Sequence, residues 1–227
     1  MAVEERPGAQ EWIPHGAGIG ELRDAAQSCR GCELWRPATQ TVFGDGSPSA
    51  RMMLVGEQPG DREDLAGEPF VGPAGAVLDR ALHAAGVARD EIYLTNAVKH
   101  FRFEERGKRR IHSKPGIAHI VACAPWLDAE VDAVDPALIV CLGTTAARAV
   151  LGRTVAVGGE RGKLQPARGA RQQAGGLGRS PTKGRQALVT VHPSSILRIR
   201  EDADRSAAFE AFVDDLRVGA EALHGWK

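Results

Sequence analysis

Residues 51–60 read RMMLVGEQPG, an unbroken apolar run that passes straight into a polar, glycine-bounded turn. A strand that is apolar at successive positions, not only at alternate ones, is buried on both faces, as in a parallel sheet covered by helices. Three more runs share this character: IYLTNAV (92–98), ALIVCLG (137–143) and ALVTVHP (187–193). Helical patterns lie between them. GPAGAVLDRALHAAG (72–86) opens with Pro73 and closes on Gly86, and Val77, Leu78, Ala81 and Leu82 supply its apolar face. GIAHIVACAPWLDAEVDAV (116–134) and TTAARAVLG (144–152) follow. A last helix, over about 203–219, spaces Phe209, Phe212, Val213 and Leu216 at i, i+3, i+4 and i+7. Strand–helix alternation of these lengths predicts an α/β fold of three layers, α/β/α, around a central four-stranded parallel sheet.

The 227 residues read as a single domain with one irregular segment. Residues 161–186 hold seven Lys or Arg and no Asp or Glu, and are rich in Gly. RGKLQP is expected to form a short edge strand, and about 167–186 a basic insertion loop. The formal net charge is zero, so a nucleic-acid-binding surface has to be local. No apolar run approaches the roughly 18 residues of a membrane span. The N-terminus, MAVEERPGAQEW, lacks a basic region followed by an apolar stretch. These features predict a cytoplasmic protein with no membrane partner. There, Cys29, Cys32, Cys123 and Cys141 are better read as ligands, catalysts or core residues than as disulfides. Cys29 and Cys32 form a C-x-x-C, which sets two thiolates on one side of a tight turn, as metal sites require. Cys141 falls inside an apolar strand and reads as a small core hydrophobe.

In an open parallel sheet, ligands bind beyond the carboxyl ends of the strands. The segments there are GEQPGDREDLAGEPFVGPAG, TNAVKHFRF, LGTTAA and HPSS. They collect Glu57, Gln58, Asp61, Asp64, Asn96, Lys99, His100 and His192 at one sheet edge, more polar groups than solvation requires. That edge is the candidate active site. FRFEERGKRRIHSKPG (101–116) has no apolar periodicity and reads as a basic loop, which by itself gives His112 no purpose.

GEQPG, FVGPAG, TNAVKH, LGTTAARAVLG and VHPSS resemble, in order and spacing, the motifs of iron–sulfur uracil-DNA glycosylases of the family 4 type. The resemblance runs from the C-x-x-C to the final helix. Gln58 stands where ordinary members carry Ala, and KRRIH follows NAVKH. Together these two features resemble the X-type subgroup, UdgX, known for ending its reaction covalently attached to DNA through the His of this loop.

The resemblance implies the uracil-DNA glycosylase fold and a [4Fe–4S] cluster held by Cys29, Cys32, His100 and Cys123. By ligand count alone, a Cys3His set suits zinc equally well. It also implies that Asn96 reads uracil on its Watson–Crick edge and that Phe70 stacks on the base, with Gly56 and Gln58 beside them. His192 is the expected donor to the uracil O2. His112 is the expected nucleophile at C1′, oriented by Glu57, with Gln58, which would hold the loop or the substrate, and Asp61 completing the catalytic set. Asp61 and Asp64 could orient Gln58 or the His112 loop, or equally cap the turn that follows the first motif. Lys99, Ser194 and Ser195 are the expected DNA contacts, joined by Arg102, Lys114 and Arg198, while Lys108, Arg109 and Arg110 could fix the loop or contact phosphate.

The expected activity is thus excision of uracil followed by a single-turnover His–C1′ adduct. The expected partner is uracil-containing DNA, single-stranded or duplex, bound by a monomer. The alternative is a conventional multiple-turnover family 4 enzyme that uses water and whose KRRIH loop only grips DNA. A redox protein, suggested by the cysteines alone, leaves Asn96, Glu57 and HPSS unexplained. A lesion-binding module without chemistry is separated from all of these by release of free uracil.

Overall fold

The computed structural model describes residues 6–167 and 185–225. In chain order the elements are α1 (Ile19–Ala26), β1 (Asp45–Gly46), β2 (Met52–Gly56), α2 (Asp61–Ala66), α3 (Pro73–Ala84), β3 (Ile92–Asn96), β4 (Phe103–Arg106) and β5 (Arg109–His112). They continue with α4 (Ile117–Val134), β6 (Leu138–Leu142), α5 (Thr144–Leu151), α6 (Val157–Glu160), β7 (Leu164–Pro166), β8 (Gln186–Thr190), α7 (Pro193–Leu197) and α8 (Asp202–Gly225). The basic insertion expected at about 167–186 falls, for residues 168–184, outside the described residues.

Among the described residues the main sheet has the order β1-β3-β2-β6-β8-β7. Its four central strands, β3, β2, β6 and β8, are parallel, as the apolar runs predict. The antiparallel strands β1 and β7 close its two edges. β7 is the edge strand expected from RGKLQP. β1 is only two residues long and left no periodic signal.

Each parallel strand is buried because alternate side chains meet different helical layers. Met53, Val55, Tyr93, Ile139, Cys141 and Val189 share one core with α1, α4 and α5. Leu54, Leu94, Val140, Leu142 and Leu188 share the other with α3, α7 and α8. Burying each such Leu or Ile contributes roughly 1.5–3 kcal/mol. Cys141 belongs to this packing, and burial raises its thiol to about 12. Among the described residues no helix is long and apolar enough to cross a membrane.

The segment expected to be a loop at 101–116 contains a β-hairpin instead. β4 and β5 pair antiparallel, with Phe103 opposite His112 and Arg106 opposite Arg109. The two-residue connection is Gly107–Lys108, and Gly107 takes a positive φ of 62°. A two-residue hairpin loop needs such a residue to match the twist of its strands. Glu104, Glu105 and Arg109 are exposed, so no apolar alternation marks the strands.

Candidate active site

The parallel register sets Gly56 beside Asn96 at the carboxyl ends of β2 and β3. Beyond these ends opens a cleft of about 760 Å³, lined among others by Glu57, Gln58, Phe70, Asn96, His112 and His192. Gly56 keeps its floor clear. A Cβ there would lie 2.3 Å from Asn96 Oδ1 and 2.7 Å from the tip of Phe70. Asn96 is 3% exposed, and among the described residues no hydrogen bond occupies its side-chain amide. The amide is left to a ligand in the cleft.

Phe70 adopts a left-handed backbone, φ 60°, a conformation that costs a non-glycine residue about 1–3 kcal/mol and that clusters at functional sites. Its carbonyl is seated against the first turn of α3, where a Cβ on Gly75 would come within 1.7 Å of the Phe70 oxygen. The Glu63 carboxylate accepts from Gly60 N (3.1 Å) and Gly72 N (2.8 Å), which ties the GEQPG turn to the turn carrying Phe70. The Phe70 ring lies over His192, centroids 6.2 Å apart and planes 25° from parallel.

His192 caps α7. The backbone N–H of Ser194 donates to His192 Nδ1 at 3.2 Å, and the Ser194 hydroxyl stands 2.9 Å from the same atom. A backbone N–H can only donate, so Nδ1 accepts and the proton of the neutral ring sits on Nε2. Burial, helped by the nearby charges of His112 and Arg198, lowers its pKa to about 4. At neutral pH His192 is therefore an uncharged hydrogen-bond donor.

The hairpin is held over the cleft from two sides. Gln58 Nε2 donates to the carbonyls of Arg102 (3.1 Å) and Ser113 (3.2 Å), and Gln58 Oε1 accepts from Arg102 N (3.1 Å). Arg110 reaches α2, with Nε donating to Asp61 Oδ1 and Nη1 to Asp64 Oδ2, both at 2.6 Å. Its guanidinium also lies 5.6 Å from the Phe101 ring centre and 5.1 Å from that of Phe103. Thus fixed, the hairpin presents His112 Nε2 3.4 Å from Glu57 Oε1. The other Glu57 oxygen accepts from Thr145 Oγ1.

Residues 43–217 match the family model described as the Uracil DNA glycosylase superfamily. The chain belongs to this superfamily. It is similar to proteins named Type-4 uracil-DNA glycosylase: 38% identical over 126 residues to that of Sulfurisphaera tokodaii, 34% over 123 to that of Saccharolobus solfataricus, and 32% over 189 to that of Thermotoga maritima. The match covers 55%, 54% and 83% of this chain respectively. It spans 54% of the length of the first two relatives and 88% of the third.

Most of the residues expected from the superfamily resemblance meet at the cleft: Glu57, Gln58, Phe70, Asn96, His112, Lys114, His192, Ser194, Ser195 and Arg198. Lys108 and Arg109 are exposed at the hairpin tip. Two expectations are corrected, and a third is narrowed to one of its alternatives. Lys99, expected on the DNA-facing surface, is 0% exposed. Its ammonium donates to Glu130, to Thr95 Oγ1 (2.6 Å) and to the Asn96 carbonyl (2.8 Å). Asp61, expected among the catalytic groups or as an orienter of the His112 loop, reaches Arg110 of that loop and not the cleft. Arg110, expected to fix the loop or to contact phosphate, does the first through Asp61 and Asp64. Thr145 and Glu63 were missed; only their positions, at the first turns of helices that follow sheet strands or the first motif, could have drawn attention to them.

Cys29, Cys32 and Cys123 are buried and unpaired as disulfides. Burial raises Cys32 to about 11 and Cys123 to about 12, and the three thiols are close enough to perturb one another. Trp126 Nε1 (3.2 Å) and Gly31 N (3.5 Å) donate to Cys29 Sγ, and Lys99 N donates to Cys123 Sγ at 3.3 Å. His100, next in the chain to Lys99, has Nε2 2.9 Å from Thr41 Oγ1, and burial lowers its pKa to about 4. Among the described residues no group of three or more His, Cys, Asp or Glu converges as a single metal ion needs. A multi-iron cluster takes one ligand at each iron and so spreads its ligands apart. Buried thiols with N–H donors at sulfur fit that donor chemistry.

Proposed function

We propose that this protein is a uracil-DNA glycosylase of the X-type, which excises uracil and ends covalently attached to the abasic sugar through His112. The observation that carries the proposal is the His112–Glu57 contact at the rim of a cleft floored by Asn96 and Phe70 and flanked by His192. The Type-4 names of the relatives support the uracil-excising part.

The base enters the cleft out of the stack and meets Phe70, while the free Asn96 amide pairs with its O4 and N3–H. The C1′–N1 bond breaks with its electron pair going to uracil, and the neutral His192 Nε2–H donates to the developing charge at O2. An imidazole nitrogen is a better nucleophile than water. His112 Nε2 faces Glu57, so the other ring nitrogen carries the lone pair that bonds C1′. The resulting imidazolium gives up its Nε2 proton toward Glu57. The C–N bond has no ready leaving path, and turnover stops.

Cys29, Cys32, Cys123 and His100 would hold a [4Fe–4S] cluster, which supplies a fastening point between the N-terminal segment and residues 100–123. Cys29→Ala is expected to lose iron, colour and solubility. The working form is a cytoplasmic monomer acting on single-stranded uracil-containing DNA.

The test is a denaturing gel of protein mixed with a labelled uracil-containing single-stranded oligonucleotide, with His112→Ala alongside. The expected result is a heat-resistant shifted band for wild type only. Uracil release with no shifted band supports the second reading, water as nucleophile, which the half-exposed His112 side chain (49%) leaves accessible.

A further inference from the structure

We infer that Thr145 is a positioning residue that aims the Glu57 carboxylate at His112; this rests on the reading of His112 and Glu57 given above. Glu57 has two carboxylate oxygens with different partners. Oε1 faces His112 Nε2 at 3.4 Å, and Oε2 accepts from Thr145 Oγ1. Thr145 is 3% exposed and lies in the first turn of α5. Its hydroxyl is therefore desolvated and directed, a charge-assisted donor stronger than a surface hydroxyl would be.

That turn is itself fixed by the sheet. Gly143, φ 91°, donates its N–H to the Thr190 carbonyl at 2.9 Å, and a Cβ on it would stand 3.3 Å from His192 Cβ. The start of α5 thus spans the two histidines: it backs His192 and holds the carboxylate that faces His112. The neighbouring Thr144 accepts instead from Lys114 Nζ at 3.3 Å, so the two adjacent hydroxyls serve different partners. The α5 N-terminus adds a partial positive field that favours an anion there.

A carboxylate turns about its Cγ–Cδ bond, so a donor that holds one oxygen also fixes where the second one points. Without the Thr145 hydroxyl, Oε2 would face a methyl group in a buried corner. The carboxylate would then turn toward another donor, carrying Oε1 away from His112. Uracil binding at Asn96 and Phe70 involves neither residue.

The experiment compares wild type with Thr145→Val, which replaces the hydroxyl by a methyl of similar size, and Thr145→Ser, which keeps it. Thr145→Ala replaces the Val variant if that one does not fold. Two quantities are read: the single-turnover rate of the shifted band on a uracil-containing single-stranded oligonucleotide, and the ring 15N signals of His112 in the free protein, assigned by their loss in His112→Ala. The band is expected to form about 10- to 100-fold more slowly in Thr145→Val and within about threefold of wild type in Thr145→Ser. The His112 ring signals should move in the Val variant only. Wild-type rate and signals in Thr145→Val overturn the inference, as does an equal loss in Thr145→Ser, which would mean a packing role. If wild type forms no band at all, the covalent reading fails, and the ring signals still decide whether Thr145 sets the Glu57–His112 contact.

Discussion

Gln58 Nε2 donates to the carbonyl of Ser113 at 3.2 Å, one residue beyond His112. With its two bonds to the Arg102 backbone, one side chain closes both ends of the hairpin neck. Gln58 thus holds the strand that carries His112 over the cleft. Gln58→Ala is expected to slow adduct formation by about tenfold or more, the loss of two or three hydrogen bonds of about 1 kcal/mol each. Uracil release should change far less, because the base contacts remain. Band formation and free uracil, measured in one reaction, check this split.

Arg110 makes the second anchor, and its fork is what the site uses. Nε and Nη1 bind two different carboxylates, one of them the fully buried Asp64. Hydrogen bonding to these carboxylates, against the cost of burial, raises the Arg110 pKa. A lysine carries the charge but cannot reach both acceptors in a plane. Arg110→Lys should therefore lose adduct yield nearly as fully as Arg110→Ala. A yield near wild type for Arg110→Lys would mean that charge alone anchors the hairpin.

The layer order and the four parallel strands were legible because burial on both faces leaves continuous apolar runs, and the cleft followed from reading what comes after each strand. The hairpin was not legible: its faces pack on no core, so FEER and RRIH carry no alternation, and only the Gly107–Lys108 pair hints at a two-residue turn. Lys99 was misread for a different reason. Its partner Glu130 lies in α4, 31 residues away, and a lysine whose counter-ion arrives only through the fold looks like any surface cation. For Arg110 the sequence left two roles open, fixing the loop or contacting phosphate, and its partners Asp61 and Asp64, more than 45 residues earlier in the chain, decide for the first.

Gly56 separates fold from function. The Cβ of Gly56→Ala would enter the space between Asn96 Oδ1 and the Phe70 tip. Overpacking of this kind costs about 1–3 kcal/mol, which a domain of this size can tolerate. The base pocket, however, would lose its floor. The expected outcome is a folded protein with a small drop in Tm and no detectable uracil release. Undiminished release would place the base elsewhere in the cleft.

The His192 ring gives a pH signature. Its pKa falls from the ordinary 6.5 to about 4 in the folded protein, so between these values the unfolded chain binds more protons. Stability rises with pH wherever that holds. The contribution is fully present above pH 6.5 and is lost as pH falls toward 4. His192→Gln removes this dependence, so wild type should lose more Tm than the variant between pH 6.5 and 4, with a constant difference above 6.5. A difference that does not change across that window would show that the ring is not held neutral by its surroundings.

Lys99 and Lys108 stand nine positions apart and should fail in opposite ways. Lys99 is sealed against Glu130, whose carboxylate also takes Tyr93, Thr95 and the Gly44 N–H. Lys99→Met leaves that carboxylate buried without its cation, a loss of about 3–5 kcal/mol for a broken buried pair. It also removes the donor to the Asn96 carbonyl, so uracil release should fall together with stability. What should not change is the salt dependence of DNA binding, since a buried ammonium releases no counterion. Lys108→Ala should do the reverse. It lies exposed at the hairpin tip, so stability should hold. The slope of log affinity against log salt on single strands should flatten by about 0.7 for one lost phosphate contact. Binding titrations at several salt concentrations, beside thermal melts of both variants, distinguish the two lysines. An altered slope in folded Lys99→Met would return that residue to the DNA-facing surface.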